Sequence, residues 1–264
     1  VSVVSGVSVI IPTAKVDEWL DDAVNSVLAS GGIRVQVIVV HDGIEPDRTR
    51  DWAADPRVTI AHHRERKGPS AGMVTGRRLA TFSYIARLDA DDLSSPDRLR
   101  SQAAFLDEHP AAVAVGTRVT RIDENGRSTG EVRGPSGPDI RSHFLLSNVL
   151  AHSSLMFRRD VHDRIGGYDV SLRQMEDYLF LLQLSQHGPV AVLPDFLVKY
   201  RVHSSQASRG AKPYGSHIRL VMQERRALSR KLGANSLVSW LKNGAWVGLQ
   251  YARYFGPMRP GHEL

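Results

Sequence analysis

One stretch constrains this chain more than any other: Tyr84-Ile85-Ala86-Arg87-Leu88-Asp89-Ala90-Asp91-Asp92, a short apolar run that ends in three carboxylates. Its length and composition are those of a buried strand, and Ser94-Ser95-Pro96-Asp97 then opens a helix, so the acids fall at the strand's carboxyl end. In an open α/β sheet that edge is where ligands bind. Carboxylates packed this closely repel one another unless a cation shares the space. Asp89 and Asp91 bracket only Ala90, a D-x-D spacing that suits a hard divalent ion still holding waters and phosphate oxygens. A polar loop capping the next helix would be written with the same letters, so the surrounding chain must decide.

That surrounding chain alternates. Residues 7–11 read as a buried strand stopped by Pro12, and 17–29 as a helix with Trp19, Leu20, Ala23, Val24, Val27 and Leu28 on one stripe. Strands at 35–40 and 57–62 and helices at 46–54, 70–81 and 96–108 follow. Strands separated by helices imply parallel pairing with right-handed crossovers, hence an α/β fold. Further on, 111–116, 118–123, 154–157, 190–193 and 197–202 read as strands, 174–187 as a helix and 133–138 as a mobile loop. From Tyr214 the pattern is helical to about Phe255, broken near Gly233-Ala234-Asn235.

Composition narrows the function classes. The 264 residues can bury a full core, and no apolar run is long enough for a transmembrane helix. Residues 1–13 read as a strand rather than a signal peptide. The absence of cysteine excludes disulfides and thiolate chemistry and leaves metals only oxygen and imidazole ligands. A cytoplasmic location is the expectation. A net charge of +6 favours anionic partners such as nucleotides, acidic lipids or nucleic acid.

Several constellations lie at the same sheet edge. The first strand ends Ile11-Pro12-Thr13 without G-x-G-x-x-G, which argues against a dinucleotide-dependent oxidoreductase. The second ends Val40-His41-Asp42-Gly43, where Asp42 either meets a base or ribose or is simple turn chemistry. Lys67-Gly68-Pro69-Ser70-Ala71-Gly72 brings a cation and small residues to a helix start, a phosphate-facing arrangement. Glu176 and Asp177 open an apolar helix, where they either complement its dipole or supply a base with a raised pKa. Tyr200-Arg201-Val202-His203 ends a strand, and a lone histidine there serves either structure or a ligand.

The order of these elements is more specific than any member. Pro12 after an apolar strand, Asp42-Gly43, L-D-A-D-D at 88–92, the Glu176-Asp177 pair and Y-R-V-H at 200–203 together resemble glycosyltransferase family 2 over residues 7–205. His152-Ser153-Ser154-Leu155-Met156-Phe157-Arg158-Arg159 is similar to the family's middle strand, and Ile165-Gly166-Gly167-Tyr168-Asp169 to the loop before its acidic pair. The resemblance implies a GT-A fold: a mixed, mostly parallel sheet flanked by helices. Residues 1–210 would form the catalytic domain, with 1–118 the nucleotide-binding half and 119–210 the acceptor half. Residues 211–264 would form a C-terminal helical extension.

Carried across, the resemblance implies a donor site of Pro12, Thr13, Ala14, Asp42, Lys67, Arg77, Asp89, Ala90, Asp91, His152 and Glu176. Asp91, with Asp89 and His203, would hold Mn²⁺ or Mg²⁺, and Asp177 would be the general base. The donor would be a nucleoside-diphosphate sugar on UDP, dTDP or GDP, the acceptor a hydroxyl, and no nucleic acid is expected. The implied reaction inverts the anomeric carbon in one displacement and adds one sugar, in the synthesis of a cell-surface polysaccharide, glycolipid or other glycoconjugate. Two departures fall in the nucleotide half. His41 stands where the family usually has a second acid, and Gly72-Met73-Val74 where it has Ala-Arg-Asn; Arg77 and Arg78, one turn on, are the substitutes for that arginine. A nucleotidyltransferase, the rival enzyme class, would want a Gly-rich, Arg-containing loop where Pro12-Thr13-Ala14-Lys15 stands. A catalytically inactive nucleotide-sugar-binding module is the non-enzymatic rival.

Residues 212–264 carry nine Lys/Arg against two Glu, together with Trp240, Trp246, Tyr251, Tyr254 and Phe255. Such a tail either lies in a membrane interface, placing the enzyme at the inner face of the bilayer with a lipid-linked acceptor, or packs on the catalytic domain or on a second copy.

Overall fold

A computed structural model describes residues 6–204 and 215–255. The strands are β1 (Gly6–Thr13), β2 (Arg34–Asp42), β3 (Val58–His63), β4 (Tyr84–Arg87), β5 (Leu93–Ser94), β6 (Ala114–Ile122), β7 (Ser128–Val132), β8 (Met156–Arg158) and β9 (Val190–Arg201). The helices are α1 (Glu18–Leu28), α2 (Pro69–Leu79), α3 (Arg98–Glu108), α4 (Arg159–Ile165), α5 (Glu176–Ser185), α6 (Ser216–Lys231) and α7 (Ser236–Phe255). The sheet runs β3-β2-β1-β4-β8-β6-β9-β5, with β7 beside β6. Strands β1 to β4 are parallel; β8 enters antiparallel to both β4 and β6, which restores the parallel direction for β6 and β9.

Alternation explains the layering. Val7, Val9 and Ile11 face α1 and α3, where Leu20, Val24, Leu99 and Leu106 are fully buried. Ile10, Ile38 and Val40 face the other way, toward Met73 of α2 and the aromatic core around Phe157 and Phe180. Both faces are covered, so the central strands read as continuous apolar runs. Helix α1 starts where the Asp17 carboxylate accepts a hydrogen bond from the Leu20 N–H, and buries Leu20, Ala23, Val24 and Val27 at i, i+3, i+4 and i+7.

Several expected boundaries shift for identifiable reasons. Pro12 does not stop β1, which continues to Thr13 beside His41 of β2. The expected strand pairs at 111–123 and 190–202 are each one strand, β6 and β9. They stay paired because a register shift between Thr117 and Arg118 absorbs Pro194 and Asp195 opposite. The helix expected at 46–54 is only a 3-10 turn, Asp51–Ala54, anchored by buried Trp52, whose indole donates to Asp21. The loop at 133–138 forms a bridge from Gly137 to Val192. Helices α6 and α7 match the expected break; the boundary near 210, the helix start at Tyr214 and any leader in residues 1–5 lie outside the described residues. Ile218, Val221 and Leu228 of α6 and Trp246 of α7 belong to the main core.

Helix α2 sits unusually close to β1. A Cβ at Gly72 would lie 2.8 Å from the Pro12 side chain, and one at Gly76 2.4 Å from that of Ile10. Two glycines one turn apart therefore set the distance between the helix and the strand that ends in Pro12 and Thr13. Gly76→Ala gains helix propensity of about 1 kcal/mol, yet overpacking a rigid, buried isoleucine costs about 1–3 kcal/mol. The net expectation is a lower midpoint in urea unfolding at unchanged slope; a midpoint at or above the parent's would show that the helix can move away.

Candidate active site

The parallel strands β1, β2, β4 and β9 bring their carboxyl ends to one edge, and antiparallel β8 brings its amino end there. Asp89, Asp91 and Asp92 stand at the centre. Arg201, the last residue of β9, clamps this loop: its N–H donates to Asp92 Oδ1 at 2.8 Å and its Nε to the Asp91 carbonyl at 2.9 Å. Two residues on, His203 Nε2 lies 2.8 Å from Asp91 Oδ2, and its ring packs on Trp19 at 4.8 Å. Ser153, just before β8, accepts a hydrogen bond from the Asp89 N–H at 2.9 Å.

Burial and mutual repulsion set the charges. Burial, then Asp89, pushes the Asp91 carboxyl up; burial, then Asp91 and Asp89, pushes Asp92 well up. Beneath them lie two buried arginines. Arg87 Nε donates to Asp89 Oδ1 at 2.7 Å. Burial works against its charge, but Asp89, Tyr168 and Glu176 outweigh it and keep the guanidinium protonated. Arg98 donates to Gln102 and to the Arg87 carbonyl, and burial lowers its pKa to about 9.

The second acid pair stands at the head of α5. Met175 precedes α5 with φ of 59°, the only described residue other than glycine at positive φ, a conformation costing about 1–3 kcal/mol. It turns the chain so that Glu176 and Asp177 head the helix. Burial raises both carboxyls, and Asp177 adds to the effect on Glu176. Asp177 Oδ2 accepts from Asn148 Nδ2 at 2.9 Å. Arg87 and Asp89 both act on Asp177 electrostatically, so the two acid clusters are coupled through the same buried arginine.

Other expected residues have different employment. Asp42 is held rather than held out: its oxygens accept from the Lys67 N–H at 2.8 Å, the Gly68 N–H at 2.7 Å and His63 Nδ1 at 2.9 Å. Burial opposes its charge, but these hydrogen bonds keep its pKa below the usual range. It pins the start of α2 at the sheet edge. Lys67 itself is exposed at that turn. Arg77 is at the wrong end of α2, nine residues or roughly 13 Å from Gly68, where its Nε donates to Asp163 Oδ1 at 2.8 Å. It ties α2 to α4 and does not replace the family's arginine, whose position is filled by buried Met73. His152 lies under the edge, not in it: Nε2 bonds the Tyr168 hydroxyl at 2.8 Å, and burial, then Arg87, pushes its pKa well down. Thr13 turns back to bond the Lys15 backbone, leaving half-buried Pro12, Ala14 and Ala90 as the walls.

A model of "Glycosyl transferase family 2" matches residues 8–166. The chain belongs to that family. Among its relatives, the amylovoran biosynthesis glycosyltransferase AmsE of Erwinia amylovora is 30% identical over 66% of this chain and 67% of its own. The O-antigen biosynthesis glycosyltransferase WbnJ of Escherichia coli is 28% identical over 79% and 84%. The succinoglycan biosynthesis protein ExoO of Rhizobium meliloti is 30% identical over 88% and 70%. Among solved structures, S. aureus TarS in complex with UDP-GlcNAc aligns with a TM-score of 0.68 at 18% identity, covering 97% of this chain and 74% of that one. The fold is therefore GT-A and the protein a glycosyltransferase.

Four residues of the glycosyltransferase site were not singled out from sequence: Arg87, Arg98, Asn148 and Ser153. Arg87 carried a signal, since a charge inside an otherwise apolar strand must be buried with a partner. His41 is fully buried with no hydrogen-bond partner on either ring nitrogen among the described residues, and burial, then His62 and Arg48, pushes its pKa down. Asn148 generates a test. In the base role that the family resemblance implies for Asp177, the carboxylate must be ionised to accept a proton, so activity falls as pH drops through its raised pKa. Asn148→Ala removes a hydrogen bond to the ionised form, worth about 1.5–3 kcal/mol. The acid limb of kcat/KM should move about one to two units higher, with the high-pH plateau largely kept; an unmoved limb would separate Asn148 from the ionisation of Asp177.

Proposed function

We propose that this glycosyltransferase moves one sugar from a nucleoside-diphosphate sugar to an acceptor hydroxyl by inverting, metal-assisted displacement, in the assembly of a cell-surface polysaccharide. The observation that carries this is buried Arg87, which pairs with Asp89 and acts electrostatically on Asp177, tying both acid clusters to one guanidinium. Relatives named for amylovoran, O-antigen and succinoglycan synthesis support the polysaccharide context, and the UDP-GlcNAc complex of TarS supports a nucleotide-sugar donor.

The donor set suits a hard divalent ion. Asp91 and His203 converge at 2.8 Å with Asp89 beside them. No cluster of three or more ligands around one point occurs among the described residues. The protein would thus give about two ligands and leave the others to diphosphate and water, the habit of Mg²⁺ and Mn²⁺. Bound there, the ion would supply Lewis-acid stabilisation of the departing diphosphate.

The chain's own residues do the rest. Asp177, ionised and oriented by Asn148, takes the acceptor proton as the oxygen attacks the anomeric carbon opposite the leaving group. One displacement inverts the configuration. Arg87 compensates the carboxylates on both sides, so the ionised base and the donor acids coexist in a partly dry cleft.

Two substitutions test the roles. Asp91→Asn should abolish transfer and remove the Mn²⁺-dependent part of nucleotide binding in calorimetry while circular dichroism stays unchanged. Turnover that persists undiminished in EDTA would sink the metal assignment. Asp177→Asn should lower kcat about 10²–10⁴-fold with donor affinity nearly constant; loss of donor binding with normal residual turnover would overturn the base assignment.

A further inference from the structure

Helix α7 carries an outward apolar stripe. Leu237, Leu241, Gly244, Gly248, Tyr251 and Phe255 repeat at i, i+4, i+7, i+11, i+14 and i+18, one helical face throughout. Its large side chains are open: Leu237 is 65% exposed, Leu241 55% and Phe255 72%, and neighbouring Trp240 is 64% exposed. The opposite face does the packing, with Asn243 and Trp246 buried. The tail therefore divides between the two readings of its sequence, Trp246 packed and Trp240 presented.

Beside this stripe runs a cationic row. Arg219, Arg226 and Arg230 are exposed on one face of α6, at i, i+7 and i+11, and make no ion pair among the described residues. Together with Gly244, Val247 and Tyr251 of α7 they line an open groove of about 830 Å³. Gly244 and Tyr251 belong to both groove wall and stripe, so the arginines and the apolar residues face the same way. Among the described residues from 215 to 255, Glu224 is the one acid, and it is engaged by Gln186 on another face.

We infer that this surface docks the enzyme on an anionic lipid bilayer, the arginines meeting lipid phosphates while Trp240, Leu241 and Phe255 enter the headgroup boundary. A cationic row along an apolar aromatic stripe is the composition of an interfacial helix. No described helix is long and apolar enough to cross a membrane, so the contact is peripheral. The charge selects the occupant. A second copy related by a twofold axis would bring the same unpaired arginines toward each other, whereas an anionic surface complements them.

The experiment is co-sedimentation of the full chain with phosphatidylglycerol or phosphatidylcholine vesicles at low and high salt. Binding to the anionic vesicles, weakened by salt, with a blue shift of tryptophan emission that Trp240→Phe removes, is expected. Arg226→Gln and Arg230→Gln should each weaken binding about fivefold, and Leu241→Glu should remove it. Melting temperature and donor-nucleotide affinity should be unchanged in these variants, so the surface is tested apart from catalysis. Absence of vesicle binding, equal binding to both lipids, or a dimer in light scattering that Leu241→Glu dissolves without any lipid affinity would overturn the proposal.

Discussion

Asp89, Asp91 and Asp92 repel one another, and everything at this sheet edge is arranged around that repulsion. Two like charges ~6 Å apart cost about 3 kcal/mol at an effective dielectric near 20, a sizeable share of a domain's net stability. The fold meets this cost from below and from the side. Arg87 pairs with Asp89, Arg98 sits under the loop, and the Arg201 backbone and guanidinium hold the other two residues in place. Burial first, and then the neighbouring carboxylates, still push Asp91 and Asp92 toward their protonated forms. Asp91 and His203 converge at this same edge, the pair that the proposed reading assigns to a divalent ion.

The mixed sheet makes the other half of the cleft possible. Antiparallel β8 enters the sheet at the edge where β1 and β4 end, so Ser153 reaches the Asp89 backbone. The next helices then return over the aromatic core. Tyr168, stacked on Phe180 at 3.9 Å, links that core to His152. The strained Met175 turns the acid pair back toward Arg87. The placement of the Glu176-Asp177 pair thus follows from the strand that breaks the parallel pattern.

Periodicity made the nucleotide half legible because its strands are buried on both faces and its helices carry clean stripes, as α1 does. It failed where tertiary packing overrode local letters: Pro194 inside β9, the short α4, and the two-residue β5 that pairs only with β9. The acids were legible as a cluster, yet composition cannot say which carboxylate is already occupied. Asp42 and Asp177 look alike in sequence, each beside a turn or helix start. One accepts from the backbone N–H groups of Lys67 and Gly68 and from His63, while the other accepts from the Asn148 side chain and the N–H of the residue after it. Arg77 was plausible by spacing and excluded by helix geometry, since a helix that starts at the edge ends far from it.

Arg225 joins these levels. It is fully buried at the centre of α6, and burial lowers its pKa, yet it keeps a partner in every direction. It donates to Asn243 of α7, to the carbonyls of Phe144 and Leu145, and to the hydroxyl of Tyr178, the residue after Asp177. Trp246 covers its face at 4.9 Å. A buried guanidinium satisfied this fully fixes orientation more than it adds stability. Here it fixes α6 and α7 against the loop and helix that hold Asn148 and Asp177. The exposed stripe of α7 is consequently not a loose tail. Whatever surface it meets, Asp177 is carried at a set height and tilt relative to it, so in the proposed reading a hydroxyl presented from that surface meets the proposed base from one direction.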